Sequence, residues 1–207
     1  MLKIWGRKTS SNVQKAMWAV GELGLPHERI DVGGAFGKTK EEPYLSMNPN
    51  SLVPTLEEDG FILWESNSIV RYLARRDGSG ILEPRDPKVC ALANQWMDWQ
   101  LSVAGPAIRD AFWGLIRTPP EQQDQAAIKT SQAATIEAMK IFDAQLAKSR
   151  YAAGDAFSMG DIPIGIMAYR FWKLCPDRPK LANLERWYKD IESRKAFQDH
   201  VKAVPIT

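Results

Sequence analysis

The sequence predicts a mixed α/β unit followed by an all-helical unit, and three observations carry that expectation. Short apolar runs alternate with helical patterns over the first eighty residues, whereas from about residue 86 one helical pattern succeeds another. Between them lies a glycine-then-proline seam, Asp77-Gly78-Ser79-Gly80 followed by Glu83-Pro84-Arg85-Asp86-Pro87, of the composition found between compact units. The 207 residues, 44% of them apolar, suffice for two modest cores. The expected division is 1–78, a linker at 79–86, and 87–207.

The elements follow in order. Leu2 and Ile4 alternate with Lys3 and Trp5 as a strand; Val13, Ala16, Met17, Val20 and Leu23 keep helical spacing, and Gly24 is a natural stop. Ile30 and Val32 give a second strand, after which a polar stretch, Gly33 to Glu42, leads into Asn48-Pro49-Asn50. Thr55-Leu56 and Phe61-Ile62-Leu63 flank Asp59-Gly60, a hairpin signal, and Ile69, Val70 and Leu73 mark a closing helix. The order is βαβ, loop, ββα. In the second unit Ile136, Met139, Phe142 and Leu146 define one face of a long helix starting near Pro119-Pro120. Trp96, Trp99, Phe112 and Trp113 lie in an earlier helical segment, which Gly105-Pro106 is expected to kink or break.

Composition excludes several classes. The longest apolar stretch, Ile162 to Tyr169, is well short of the roughly twenty residues of a membrane span, and MLKIWGRKTSS does not read as an export signal, so the cytoplasm is the expected compartment. Net charge is +2 and evenly spread, which gives no basic face for nucleic acid. Two cysteines without CxxC spacing and two distant histidines argue against a metal site, and both thiols are expected to stay reduced.

Three places remain where chemistry is expected. Thr9-Ser10-Ser11-Asn12 lies between the first strand and first helix, so one residue caps the helix and the others face the same opening. A thiolate there would be favoured by the helix dipole and by a donated hydroxyl bond worth roughly 1.5–3 kcal/mol. Val53-Pro54 enters a strand; if its peptide bond is cis, the Val53 amide and carbonyl point outward and are able to pair with an extended peptide, the simpler reading being a strand-start proline. Trp64-Glu65-Ser66 joins a strand to a helix, where Ser66 is placed to cap. That helix start would also accept a carboxylate while Glu65 accepts from an ammonium, an arrangement suited to an amino-acid head group.

On Ser10-Ser11-Asn12, Asn48-Pro49-Asn50 through Val53-Pro54-Thr55-Leu56, and Glu65-Ser66 with Ile69 to Leu73, the chain resembles a cytosolic-type glutathione transferase over essentially its whole length, a serine-type, theta- or nu-like bacterial member. A fourth pattern, Ala153 to Ile162, resembles the family's folding motif. It reads as a capping box in which Ser158 bonds the Asp161 N–H, Asp161 reaches back and Phe157 packs on Ile162, while Pro163 is expected to bend the helix. The resemblance implies a thioredoxin-like first domain that binds glutathione, ionises its thiol and presents it to a small hydrophobic electrophile bound against the helical domain. Ser10 would carry the activating hydroxyl, with Ser11 and Asn12 as alternatives; Val53, Pro54, Glu65 and Ser66 would hold the tripeptide. Where many relatives carry Lys or Gln, this chain has Leu52, so Lys38 or Lys40 is the candidate substitute at the glycyl carboxylate, a solvated surface lysine being the simpler reading of either. No tyrosine precedes Tyr44 and no cysteine precedes Cys90, which excludes the other two forms of the chemistry. Phe112, Trp113, Ile116, Arg117, Tyr169 and Trp172 are the expected electrophile walls, and a homodimer is the expected assembly. The triplet Ser10-Ser11-Asn12 also resembles a bacterial subgroup that reduces disulfides with glutathione, and a non-catalytic glutathione-binding or scaffold role is the third alternative.

Overall fold

The computed structural model describes residues 1–207 as two compact units, Met1–Glu83 with Lys195–Pro205, and Pro84–Arg194 with Ile206–Thr207. The first is built on a four-stranded sheet of order β2-β1-β3-β4, with β1 at Leu2–Trp5, β2 at His27–Ile30, β3 at Thr55–Glu58 and β4 at Phe61–Trp64. β1 runs parallel to β2 and antiparallel to β3, which is antiparallel to β4. Leu2 and Ile4 are buried, whereas Lys3 and Trp5 point to the opposite face, where both donate to the Glu57 carboxylate at 3.2 and 2.8 Å.

Helix α1 (Ser11–Glu22) buries Val13, Ala16, Met17 and Val20. It ends in a Schellman motif: Gly24 takes φ 62°, its N–H reaches the Gly21 carbonyl at 3.2 Å, and the Leu25 N–H reaches that of Val20 at 3.1 Å. The hairpin turns on Asp59 and Gly60, both with positive φ, which suits a two-residue primed turn. Short helix α2 (Tyr44–Met47) and closing helix α3 (Ser66–Asp77) complete the order, and Ile69, Val70 and Leu73 are fully buried. The returning segment was not legible in advance. Phe197, at the end of α9 (Lys195–Phe197), is buried edge-on against Trp18 at 4.9 Å, and a methyl on Gly21 would stand 2.8 Å from Ala196 Cβ.

The second unit contains α4 (Pro87–Trp99), α5 (Gly105–Phe112), α6 (Gln125–Leu146), α7 (Asp161–Leu174) and α8 (Ala182–Glu192). Its core is an aromatic cluster in which Phe142 meets Trp96, Trp99 and Trp187 at 5.1, 6.2 and 4.9 Å. Three expectations are corrected here. Of the kink or break expected at Gly105-Pro106, the break does not occur: a π-helical turn at Gln100–Ala104 links α4 to α5, loosening the ladder where Pro106 has no N–H to give. Helix α6 starts at Gln125 because Asp124 caps the Ala126 and Ala127 N–H groups, both at 3.0 Å, leaving Pro120–Gln122 as a separate 3₁₀ turn. Pro163 is the third residue of α7, within the turn whose N–H groups have no intrahelical partner, so it removes no helix bond.

The folding-motif reading also changes in detail. Asp161 does reach back to the Ser158 N–H at 2.9 Å, but the Asp161 N–H bonds the Ser158 main-chain carbonyl at 3.0 Å, while the Ser158 hydroxyl accepts from Gly160 N–H at 3.3 Å. The other Asp161 oxygen accepts from Ala152 N–H and Trp187 Nε1–H, both at 2.8 Å. Burial raises this carboxyl from 3.8 to about 6 against those three hydrogen bonds. No helix is long and apolar enough to cross a membrane, and no group of three or more His, Cys, Asp or Glu is arranged to hold a metal ion.

Candidate active site

Strand direction gathers the candidate residues. The segments following β1, β2 and β4 and the segment preceding β3 all lie at one end of the sheet, because Trp5 pairs with both Ile30 and Thr55, and Thr55 pairs with Trp64. Ser10, Val53 and Glu65 therefore belong to a single edge of the first unit.

Ser10 is the N-cap of α1, with extended backbone at φ −78° and ψ 123°, and its carbonyl accepts the Gln14 N–H at 2.9 Å. Its side chain makes no capping bond, so the hydroxyl does not satisfy the amides of the first turn of α1. Ser11, half-buried, opens the helix, and exposed Asn12 follows; the Asn12 Oδ1 accepts from Ser66 Oγ at 3.4 Å, joining the starts of α1 and α3. Gly6, just ahead, has φ 151°, and a methyl there would stand 2.4 Å from Val13 Cγ2 and 3.2 Å from Val53 Cβ.

The Val53 loop is held from beneath by two residues that the sequence reading did not assign to the site. Tyr44 Oη donates to the Leu52 carbonyl and lies 2.9 Å from Thr55 Oγ1; Asn48 Nδ2 donates to the same carbonyl at 2.9 Å, and its Oδ1 accepts from Asn50 N–H at 3.1 Å. Asn48-Pro49-Asn50 is thus an Asx turn, a signal legible in the sequence, whereas nothing local marks Tyr44. Burial raises the Tyr44 hydroxyl above its usual value, its bonds to Thr55 and Asn48 opposing. The Val53–Pro54 bond is cis, and Val53 contributes none of the bonds that hold the loop. Leu52 offers only its carbonyl inward; its side chain is 65% exposed.

Glu65 overturns the expected cap of α3. The N-cap is Glu65 itself, at φ 72° and ψ 113°, and Ser66 is the first helical residue, buried and directed to Asn12. Neither side chain caps the helix. A non-glycine residue in that conformation is strained, and such strain concentrates at functional sites. Lys38, also with positive φ, and Lys40 are both exposed on the loop after β2. Lys38 lines a cavity of about 310 Å³ shared with Asp31, Glu41 and Glu42.

In the helical unit the expected electrophile residues form two groups. Phe112 contacts Trp113 at 6.2 Å and carries the Arg170 and Arg117 guanidinium groups at 4.2 and 5.7 Å; Trp113 is 56% exposed and Ile116 lies one turn on, half-buried. Arg117 also donates to the Thr207 main-chain oxygen at 2.6 Å. Trp172, with Arg178 over its ring at 4.5 Å and Tyr188 at 5.6 Å, forms the second group; its Nε1 is buried without a partner, and Tyr169 is nearly buried. Neither cysteine forms a disulfide, and burial pushes the Cys175 thiol up to about 11, Arg178 opposing, which leaves it inert.

A β2-β1-β3-β4 sheet with a hydroxyl-lined helix mouth, joined to an all-helical unit, defines a two-domain protein of the thioredoxin-like class. Residues 9–76 match the family model of the glutathione S-transferase N-terminal domain, and residues 125–190 that of the C-terminal domain. The chain is 41% identical to glutathione S-transferase GstB of Escherichia coli (strain K12) over 100% of both proteins, and 29% identical to glutathione S-transferase F13 of Arabidopsis thaliana over 95% of this chain and 93% of that one. The crystal structure of the theta class glutathione S-transferase from Xanthomonas axonopodis pv. citri with glutathione bound superposes with a TM-score of 0.95 at 42% identity, covering 100% of this chain and 99% of the other. The chain belongs to the glutathione S-transferase family.

Proposed function

We propose that the chain binds glutathione along the sheet edge of its first unit, holds it as the thiolate and transfers it to a small hydrophobic electrophile. The observation that carries this reading is the uncommitted hydroxyl of Ser10: an N-cap serine that caps nothing leaves its O–H and the α1 amides for a sulfur anion. Val53 offers main-chain groups to the cysteinyl segment in the manner of an added strand, and the start of α3 with the Glu65 carboxylate receives the γ-glutamyl head group. The thiol proton passes to solvent, the sulfur forms a bond to the electrophilic carbon, and the leaving group departs with its electron pair. In the helical unit Trp113, Ile116 and Phe112 supply apolar surface for the acceptor.

The test uses purified protein with a chlorinated nitroaromatic acceptor and with hydroxyethyl disulfide. Ser10→Ala is expected to lower conjugation ten- to a hundredfold, the kinetic equivalent of one charge-assisted hydrogen bond. Full activity of Ser10→Ala with both acceptors would transfer the role to Ser11 or Asn12. Turnover confined to the disulfide and lost in Asn12→Ala would instead favour the reductase alternative.

A further inference from the structure

We infer that Arg7 is the cation that binds the glycyl carboxylate of glutathione, an assignment that deepens the reading above and rests on it. The sheet order sets the requirement. Neighbouring strands lie about 4.8 Å apart, and an extended tripeptide spans about 10 Å, so it crosses two to three strand ends. With the head group after β4 and the sulfur between β3 and β1, a span of about two strand spacings ends at β1, so the far carboxylate falls beside Gly6-Arg7, where the segment after β1 is bonded to Val32 of the segment after β2.

A seat for one arginine is built there. Arg7 N–H donates to the Val32 carbonyl at 3.0 Å, and the Arg7 carbonyl accepts the Ser10 N–H at 3.2 Å, tying the residue to both loops. Its side chain lies across Gly34 so closely that a methyl on that glycine would stand 2.8 Å from both Cδ and Nε. A methyl on Gly33 would meet Val53 Cγ1 at 3.2 Å, Thr39 Cγ2 at 3.4 Å and an Arg7 terminal nitrogen at 3.7 Å. The guanidinium is therefore brought to the neighbourhood of Val53, where the tripeptide backbone is expected, over two glycines that leave it room. The lysines fit less well: both are exposed, and Lys38 lies in a cavity with three carboxylates that compete for its charge. Asp31, two residues before Gly33, is already held by Arg29, which keeps its carboxyl below the usual range. A half-buried, planar fork also matches a carboxylate better than a mobile ammonium.

Calorimetric titration of the full chain with glutathione and with its glycyl monoethyl ester tests this. The wild type is expected to prefer the free acid ten- to a hundredfold, Arg7→Met to bind both ligands with the affinity of wild type for the ester, and Arg7→Lys to keep part of the preference. Unchanged ester binding by Arg7→Met also reports an intact site. If Arg7→Met keeps the full preference, if Lys38→Ala with Lys40→Ala erases it, or if wild type shows none, Arg7 is not the carboxylate cation and the glutathione reading stands. No heat with either ligand on wild type would overturn that reading, and this assignment with it.

Discussion

Glu65 sits at φ 72° and ψ 113° between β4 and α3, a conformation that costs a side chain about 1–3 kcal/mol and is open to glycine. If the strain serves to present the carboxylate, Glu65→Gly should release it while losing some of the gain to the more flexible unfolded chain. The expected outcome is a fold more stable by about 1 kcal/mol, seen as a raised urea midpoint at unchanged m-value, together with lost retention on immobilised glutathione. A destabilised variant would show that the conformation is not strained. At this scale the places of Ser10 and Glu65 were legible because each stands where a strand gives way to a helix, a junction that composition and period both mark. Arg7, Tyr44 and Asn48 were harder, since what gives them meaning is a partner from another segment: Gly34 for Arg7, the Leu52 carbonyl for the other two. The expected capping by Ser66 failed because Glu65 takes that place through its backbone alone.

Helix α7 is anchored by the buried Asp161 carboxylate, which takes main-chain bonds from Ala152 and Ser158 and the indole bond from Trp187. Desolvation outweighs these bonds and raises the carboxyl from 3.8 to about 6. Between those values the native state holds a proton that the unfolded chain has released, so stability falls as pH rises through the interval; the contribution is complete below about 3.8 and gone above about 6. Asp161→Asn cannot titrate, and it turns an amide donor toward a ring of donors, so it should be less stable throughout. The diagnostic quantity is the difference between wild type and Asp161→Asn, expected to shrink by about 3 kcal/mol from pH 3.5 to 7. Urea denaturation of both proteins at the two pH values measures it, and a difference independent of pH would contradict the assignment. The elements themselves were legible wherever a two- or 3.6-residue period met burial on one face, as in β1, α1, α3 and α6. The π-helical turn at Gln100–Ala104 was not, because a one-residue slip in a helical ladder leaves the composition unchanged.

The first unit is assembled from two stretches of chain, Met1–Glu83 and Lys195–Pro205, and the seam at Gly78–Pro87 marks only one of the places where the chain passes between units. The glycine-and-proline signal reports a linker, whereas the return is made by an ordinary helical sequence whose partner, Trp18, lies at the other end of the chain. Phe197 and Trp18 are both fully buried, with rings 4.9 Å apart at 70°, so each completes the packing around the other. The proposed glutathione edge begins at the opposite end of α1 from this contact, since Ser10 stands at the start of the helix and Gly21, in its last turn, faces Ala196. Helix α1 consequently needs the returning segment to hold it against the sheet while its mouth remains open. Phe197→Ala should create a cavity costing about 3–5 kcal/mol and shift the Trp18 emission to the red at a denaturant concentration where wild type is still folded. Thermal or urea unfolding followed by tryptophan fluorescence measures both effects, and added glutathione should recover part of the loss by binding only the folded mouth. A loss below about 1 kcal/mol would mean that α1 is held by its own sheet alone and that the returning segment is an accessory.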